Sequence, residues 1–197
     1  MDEKKDQILE ASKQLFNRMG YTKTSVDDIA QAVGMQKSSL YYYFKNKEEL
    51  FCCSFIHDWG KIMQGFRESA EKESNPIDKL LNYITQSLHY YEEVVLQHRI
   101  PMKVIVETRS LFMDVFNDTN KKSIEFYESK INDGIKIGIF TPCNASKIAR
   151  ALFATKTALQ YDNFRQFMNE MPTKESFKKI EKEVLFVVEM ILQGIKK

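Results

Sequence analysis

Gly34 restricts the folding of this chain more than any other residue, because it separates two short helical patterns within Thr24–Leu50, TSVDDIAQAVGMQKSSLYYYFKNKEEL. Ahead of it, Ser25 reads as a helix N-cap. Asp27 and Asp28 follow in the first turn, where carboxylates favour the positive end of the macrodipole. Val26, Ile29, Ala30 and Val33 supply the apolar face. Ala30 is small enough for a second helix to cross closely, and Gly34 can take the left-handed conformation that reverses the chain after Val33. Beyond the turn, a helix from Gln36 or Lys37 to Phe44 points Leu40 and Phe44 inward. Ser38, Tyr42 and Lys45 then face outward, flanked by Ser39 and Tyr41, with Lys37 near the amino end. The expected unit is a helix-turn-helix. Its outer face of hydroxyls, ammonium groups and aromatic rings suits phosphates, base edges and thymine methyl groups.

Composition agrees with a helical reading and narrows the class. The 197 residues are 43% hydrophobic and 28% charged, ordinary for a soluble globular protein, which argues against disorder and membrane insertion. Seven Gly and four Pro leave little turn punctuation, and Asp133-Gly134 is nearly alone as a hairpin-type dipeptide. The expected fold is all-α. The charged, amphipathic start is no secretory signal, and the longest apolar run, Val184 to Leu192, is broken by Glu189. A cytoplasmic protein with no membrane partner is therefore expected. Net charge is only +2, and residues 1–50 hold eight basic and eight acidic side chains, so any attraction to nucleic acid must be local. From Gly34 to Lys47 there is no acid, whereas Lys37, Lys45 and Lys47 are present. Cys52 and Cys53 are adjacent and fit reduced, buried thiols, with a redox or soft-metal role as the alternative.

In chain order, Lys4 to Met19 carries an apolar stripe of Ile8, Leu9, Ala11, Leu15 and Phe16, ended by Gly20. A long helix is expected from Asn46 to about Lys72, followed by helices over 77–97, 102–116, 119–138, 145–168 and 173–195. That makes about nine helices. Ser74-Asn75-Pro76, Ile100-Pro101, Asn117-Asp118, Thr141–Asn144 and Met171-Pro172 separate the later ones. No internal repeat or low-complexity segment interrupts them.

The segment Thr24–Leu50 resembles the DNA-binding signature of the TetR/AcrR family of bacterial transcriptional regulators. The likeness rests on Asp28-Ile29-Ala30, the turn glycine, the Leu-Tyr-Tyr-x-Phe pattern of Leu40, Tyr41, Tyr42 and Phe44, and Lys47 followed three residues on by Leu50. The preceding LFNRMGYTKTS and the phrase Gly134-Ile-Lys-Ile-Gly-Ile-Phe140 are similar to further features of that family. The resemblance implies an N-terminal three-helix domain over 1–46 and a larger helical effector-binding and dimerisation domain over 47–197, with the helix 47–72 linking the two. It implies base reading by Gln36, Lys37, Ser38 and Tyr42. It implies phosphate contacts from Ser25, Ser39, Tyr41, Tyr43 and Lys47, aided by the amino end of the fourth helix.

The last two helices carry more apolar area than one stripe, and that area can equally be the chain's own core. The resemblance implies instead that they pair two copies, through Leu152, Leu159, Phe177, Val184, Val188 and Ile191. A two-fold homodimer would set its recognition helices roughly 34–36 Å, or a multiple of that, apart on double-stranded DNA. The Phe, Met and Tyr content suggests an adaptable apolar interior for a small apolar or aromatic effector. Trp59, Met63, Tyr83, Ser87, Phe112, Phe126 and Phe153 are the candidate lining, and His89, Arg109 and Tyr161 the candidate polar anchors. No cofactor or metal site is expected, since the three histidines lack ligand spacing. No nucleophile elbow, zinc-protease motif, phosphate loop or dinucleotide fingerprint points to an enzyme. The expectation is a ligand-released homodimeric repressor at a palindromic operator. A transcriptional activator and a non-DNA-binding partner of the same fold stand as alternatives.

Overall fold

The computed structural model describes residues 3–56, 59–107, 109, 113 and 116–197, and for 55, 56 and 59 the backbone alone. Ten helices are described: α1 Glu3–Met19, α2 Val26–Ala32, α3 Lys37–Tyr43, α4 Lys47–Ile56, α5 Trp59–Glu71, α6 Pro76–Gln97, α7 Met102–Glu107, α8 Asn117–Lys136, α9 Ala145–Gln166 and α10 Lys174–Ile195. The fold is all-α. Among the described residues the one β-type contact is an isolated antiparallel bridge between Phe140 and Lys196. The stretch expected as one helix from Asn46 to Lys72 is helical on both sides of 57 and 58, as α4 and α5.

Local signals set the helix ends. Ser25 caps α2 in a capping box: its Oγ accepts from the Asp28 N–H at 3.1 Å while the Ser25 N–H donates to Asp28 at 2.8 Å. Asn75 accepts from the N–H groups of Ile77 and Asp78, with Pro76 at the first helical position. Asn144 and Thr173 cap α9 and α10 in the same manner. Gly34 has φ +66°, as a reversal after Val33 requires. The end of α8 explains the motif from Gly134 to Phe140. The Ile139 and Phe140 N–H groups both donate to the Gly134 carbonyl, and the Phe140 ring covers Gly134 so closely that a Cβ there would lie 2.3 Å from it.

The α1–α4 unit closes over Ile8, Phe16, Ile29, Leu40, Phe44 and Leu50, all buried. α6 is the axis of the remainder, packed against α5, α8 and α10, while α9 packs on α7, α8 and α10. The carboxyl end of α6 also touches the first unit. The Tyr21 N–H donates to the His98 carbonyl at 2.9 Å, and Gly20 leaves room for that carbonyl, which a Cβ would approach to 3.2 Å. Among the described residues, no helix is long and apolar enough to cross a membrane.

Candidate DNA-reading face and internal cavity

α3 is held by Leu40, which is buried, and by Phe44, whose extended backbone ends the helix one residue sooner than the apolar pattern suggests. With those two inward, Gln36, Lys37, Ser38, Ser39, Tyr41 and Tyr42 are all exposed. Tyr42 is 88% exposed and meets Tyr43 edge-on, with ring centroids 5.4 Å apart. Tyr43 itself is half-buried against the core. Lys37 is not a loose cation. Its ammonium lies 2.7 Å from Asp27 on α2, and that hydrogen bond raises its pKa. Both groups are exposed, so the pair orients Lys37 more than it stabilises the fold. Ser25 is exposed, but its hydroxyl serves the α2 cap.

α4 starts immediately behind this face. Asn46 accepts from the Glu49 N–H at 2.8 Å and Glu49 accepts from the Lys45 N–H at 2.6 Å, which fixes the amino end of the helix. Lys47, in the first turn, rests its ammonium 4.2 Å from the centre of the Tyr21 ring, and burial lowers its pKa despite Glu48 and Asp28 nearby. The Tyr21 hydroxyl donates to Glu48 at 2.5 Å, and burial raises the pKa of that phenol. One turn further on, Phe51 meets Phe16, Tyr21 and His98 edge-on at 4.9, 5.3 and 5.8 Å. Sequence reasoning missed Tyr21 and His98 as members of this cluster. His98 is buried with Nδ1 3.3 Å from the Phe16 carbonyl, and burial lowers its pKa.

Phe51 and Cys52 also belong to the wall of a cavity of about 190 Å³ enclosed by α4, α5, α6, α8 and α9. Four expected lining residues, Met63, Tyr83, Ser87 and Phe153, are there. Phe126 is not. It stacks on Tyr83 with ring centroids 4.5 Å apart and so stands behind the wall rather than in it. Phe112 and the Trp59 side chain lie outside the described residues. The expected polar anchors lie elsewhere. His89 is 3.0 Å from Glu181 on α10, and Arg109 lies over the Tyr161 ring at 4.0 Å in an adjoining cavity of about 110 Å³. The charged side chain in the main wall is instead Lys156. A signal for it existed: it falls on the inward stripe of α9 with Ala145, Ala149, Leu152 and Asn163, a polar residue at an apolar station. Burial raises the pKa of both Cys52 and Cys53, which leaves little thiolate for redox chemistry at neutral pH.

The residues expected at a dimer surface on α9 and α10 differ in burial. Leu152, Phe177, Val184 and Val188 are buried within the protomer, while Leu159 and Ile191 are half-buried. Both helices are apolar on two sides, and the heavier side serves their own bundle. On the outer side α10 carries Phe186 and Met190, 63% and 60% exposed, and α9 carries Ala151, Ala154 and Ala158.

Residues 8–52 match the family model described as bacterial regulatory proteins, tetR family. A regulator of the biofilm operon icaADBC, the negative transcriptional regulator IcaR of Staphylococcus aureus, is 30% identical over 138 residues, 64% of this chain and 72% of that protein. The HTH-type transcriptional regulator YhgD of Bacillus subtilis is 27% identical over 164 residues, 81% of this chain and 84% of that protein. A transcriptional regulator from Cytophaga hutchinsonii shares the fold, with a TM-score of 0.74 at 22% identity and coverage of 96% and 97% of the two chains.

Proposed function

The chain belongs to the TetR family, whose members are transcriptional regulators and not enzymes, and from that premise we propose that it is a cytoplasmic, homodimeric repressor released from a palindromic operator by a small molecule. The observation that carries this reading is α4. Its first turn brings Lys47 to the edge of the reading face, and four residues later Phe51 forms part of the cavity wall. A ligand that moves Phe51 therefore acts on the same rigid element that fixes Lys47 and Tyr21.

In this reading 1–46 form the DNA-binding domain and 47–197 the effector and dimerisation domain, with α4 and α5 spanning the junction. Gln36, Lys37, Ser38 and Tyr42 read bases. Ser25, Ser39, Tyr41, Tyr43 and Lys47 hold phosphates. The dimer forms through the outer faces of α9 and α10, around Phe186 and Met190, because among the described residues these and Tyr41 with Tyr42 are the large apolar side chains exposed as neighbouring pairs. The ligand favours a dimer state with the wrong spacing between its two α3 helices, and its differential affinity for the two states sets how far operator binding falls.

The test is selection of bound DNA from a random pool, with light scattering on the free protein. The reading expects a palindrome with half-sites one or two helical turns apart, and a particle near twice 23.1 kDa. A stable monomer, or a pool without enrichment, contradicts it.

A further inference from the structure

Lys156 is the one charged side chain among the described residues that line the main cavity. It is half-buried, and no carboxylate of the described residues lies within ion-pairing distance of it. Two of the lining hydroxyls are already committed nearby: Ser87 donates to the Ile84 carbonyl at 2.7 Å and Ser123 to the Thr119 carbonyl at 3.2 Å. The same wall carries the aromatic rings of Phe51, Phe66, Tyr91 and Phe116. An ammonium group in such a wall has lost much of its hydration without gaining a counter-charge, which is unfavourable for the empty protein. Consistent with this, burial lowers the Lys156 pKa to about 8, a value that still leaves it mostly protonated at pH 7.

Building on the ligand-released repressor reading, we infer that the cavity takes an organic monocarboxylate with an aromatic or aliphatic body, its carboxylate paired with the Lys156 ammonium. The entering anion supplies the missing counter-charge, and the pair is strengthened by its separation from water. Thr157 and Gln160, adjacent on α9 and in the same wall, are the neutral groups that complete the anion's hydrogen bonds. A cationic ligand of the same shape is repelled.

The probes are three molecules of one shape: 2-naphthylacetate, its neutral amide 2-naphthylacetamide, and the cation 2-(2-naphthyl)ethylamine. Calorimetric titration of the full-length protein at pH 7, without DNA, should rank carboxylate over amide by about tenfold or more, with the amine weakest. In Lys156→Met the preference for carboxylate over amide should vanish while amide affinity stays within about threefold, which also shows that the variant is folded. Lys156→Gln serves as a second variant with the same expectation. Equal affinity for carboxylate and amide in the unaltered protein, persistence of the preference in both variants, or failure of all three probes to bind at millimolar concentration overturns the assignment. Because DNA is absent, these results are independent of whether the protein binds an operator, so failure of the repressor reading would be seen separately in the DNA selection.

Discussion

On the DNA side, the groups proposed for recognition, Ser25 apart, come from one run of sequence, Gln36 to Lys47, laid on α3 and the first turn of α4. The cavity instead draws its wall from five helices, with Phe51 and Gln160 more than a hundred positions apart. The two regions also treat lysine differently. Lys37 is exposed and pre-paired with Asp27 at 2.7 Å, whereas Lys156 is enclosed and has no carboxylate partner among the described residues. A surface cation can exchange its partner for a phosphate or base with little desolvation, so it suits a large, highly charged ligand. An enclosed cation waits for an anion of the right shape.

The proposed dimer multiplies the reading face but leaves each cavity intact, so its loss should separate the two regions most sharply. Phe186→Lys with Met190→Lys is expected to yield a monomer that binds its selected operator about a hundredfold more weakly yet retains ligand affinity; mobility shift and calorimetry check the two halves. The cavity lysine comes next. Its pKa of about 8 in the folded protein lies below the unfolded value of 10.5, so the folded state carries a penalty that is full below pH 8 and fades toward 10.5. Urea unfolding should therefore show Lys156→Met more stable than the unaltered protein by up to about 3 kcal/mol at pH 7, with the gap closing as pH rises; a gap that widens with pH would reverse the sign of the argument.

Smaller effects distinguish roles within the reading face. Lys37→Ala or Tyr42→Ala should change the ranking of operator variants, by about 1–3 kcal/mol at the affected base pair, and a uniform loss would move these residues to the backbone-contacting set. Lys47→Ala should weaken specific and random DNA alike and lower the salt slope by about 1. An unchanged slope would remove Lys47 from the phosphate contacts.

The same contrast decides what could be read from residue order. Gly34, the Ser25 cap and the inward pair Leu40 and Phe44 act over a few residues, so the α2–α3 corner and its outer face follow from local pattern. Gly134 and Phe140 are equally local, six positions apart and in direct contact. Cavity membership is not local. Phe126 and Tyr83 are both inward-facing aromatics at helical spacing, and only their stacking decides which of them reaches the space. The division of the α10 faces is not local either. Periodicity on α10 identifies Val184, Val188 and Phe186 as apolar, but the packing of α6 against the helix determines which side is spent on the protomer. Tyr21 and His98, 77 positions apart, meet through a backbone hydrogen bond that no motif announces.

The central claim is that α4 makes the two regions one device. The direct measurement is operator affinity, by fluorescence anisotropy, with the cavity empty and with it saturated by a ligand identified in the calorimetric titrations. Operator affinity should fall at least about tenfold with ligand present, and ligand affinity should fall by the same factor on the operator-bound protein, as linkage requires. An operator affinity unchanged by a filled cavity would contradict the account.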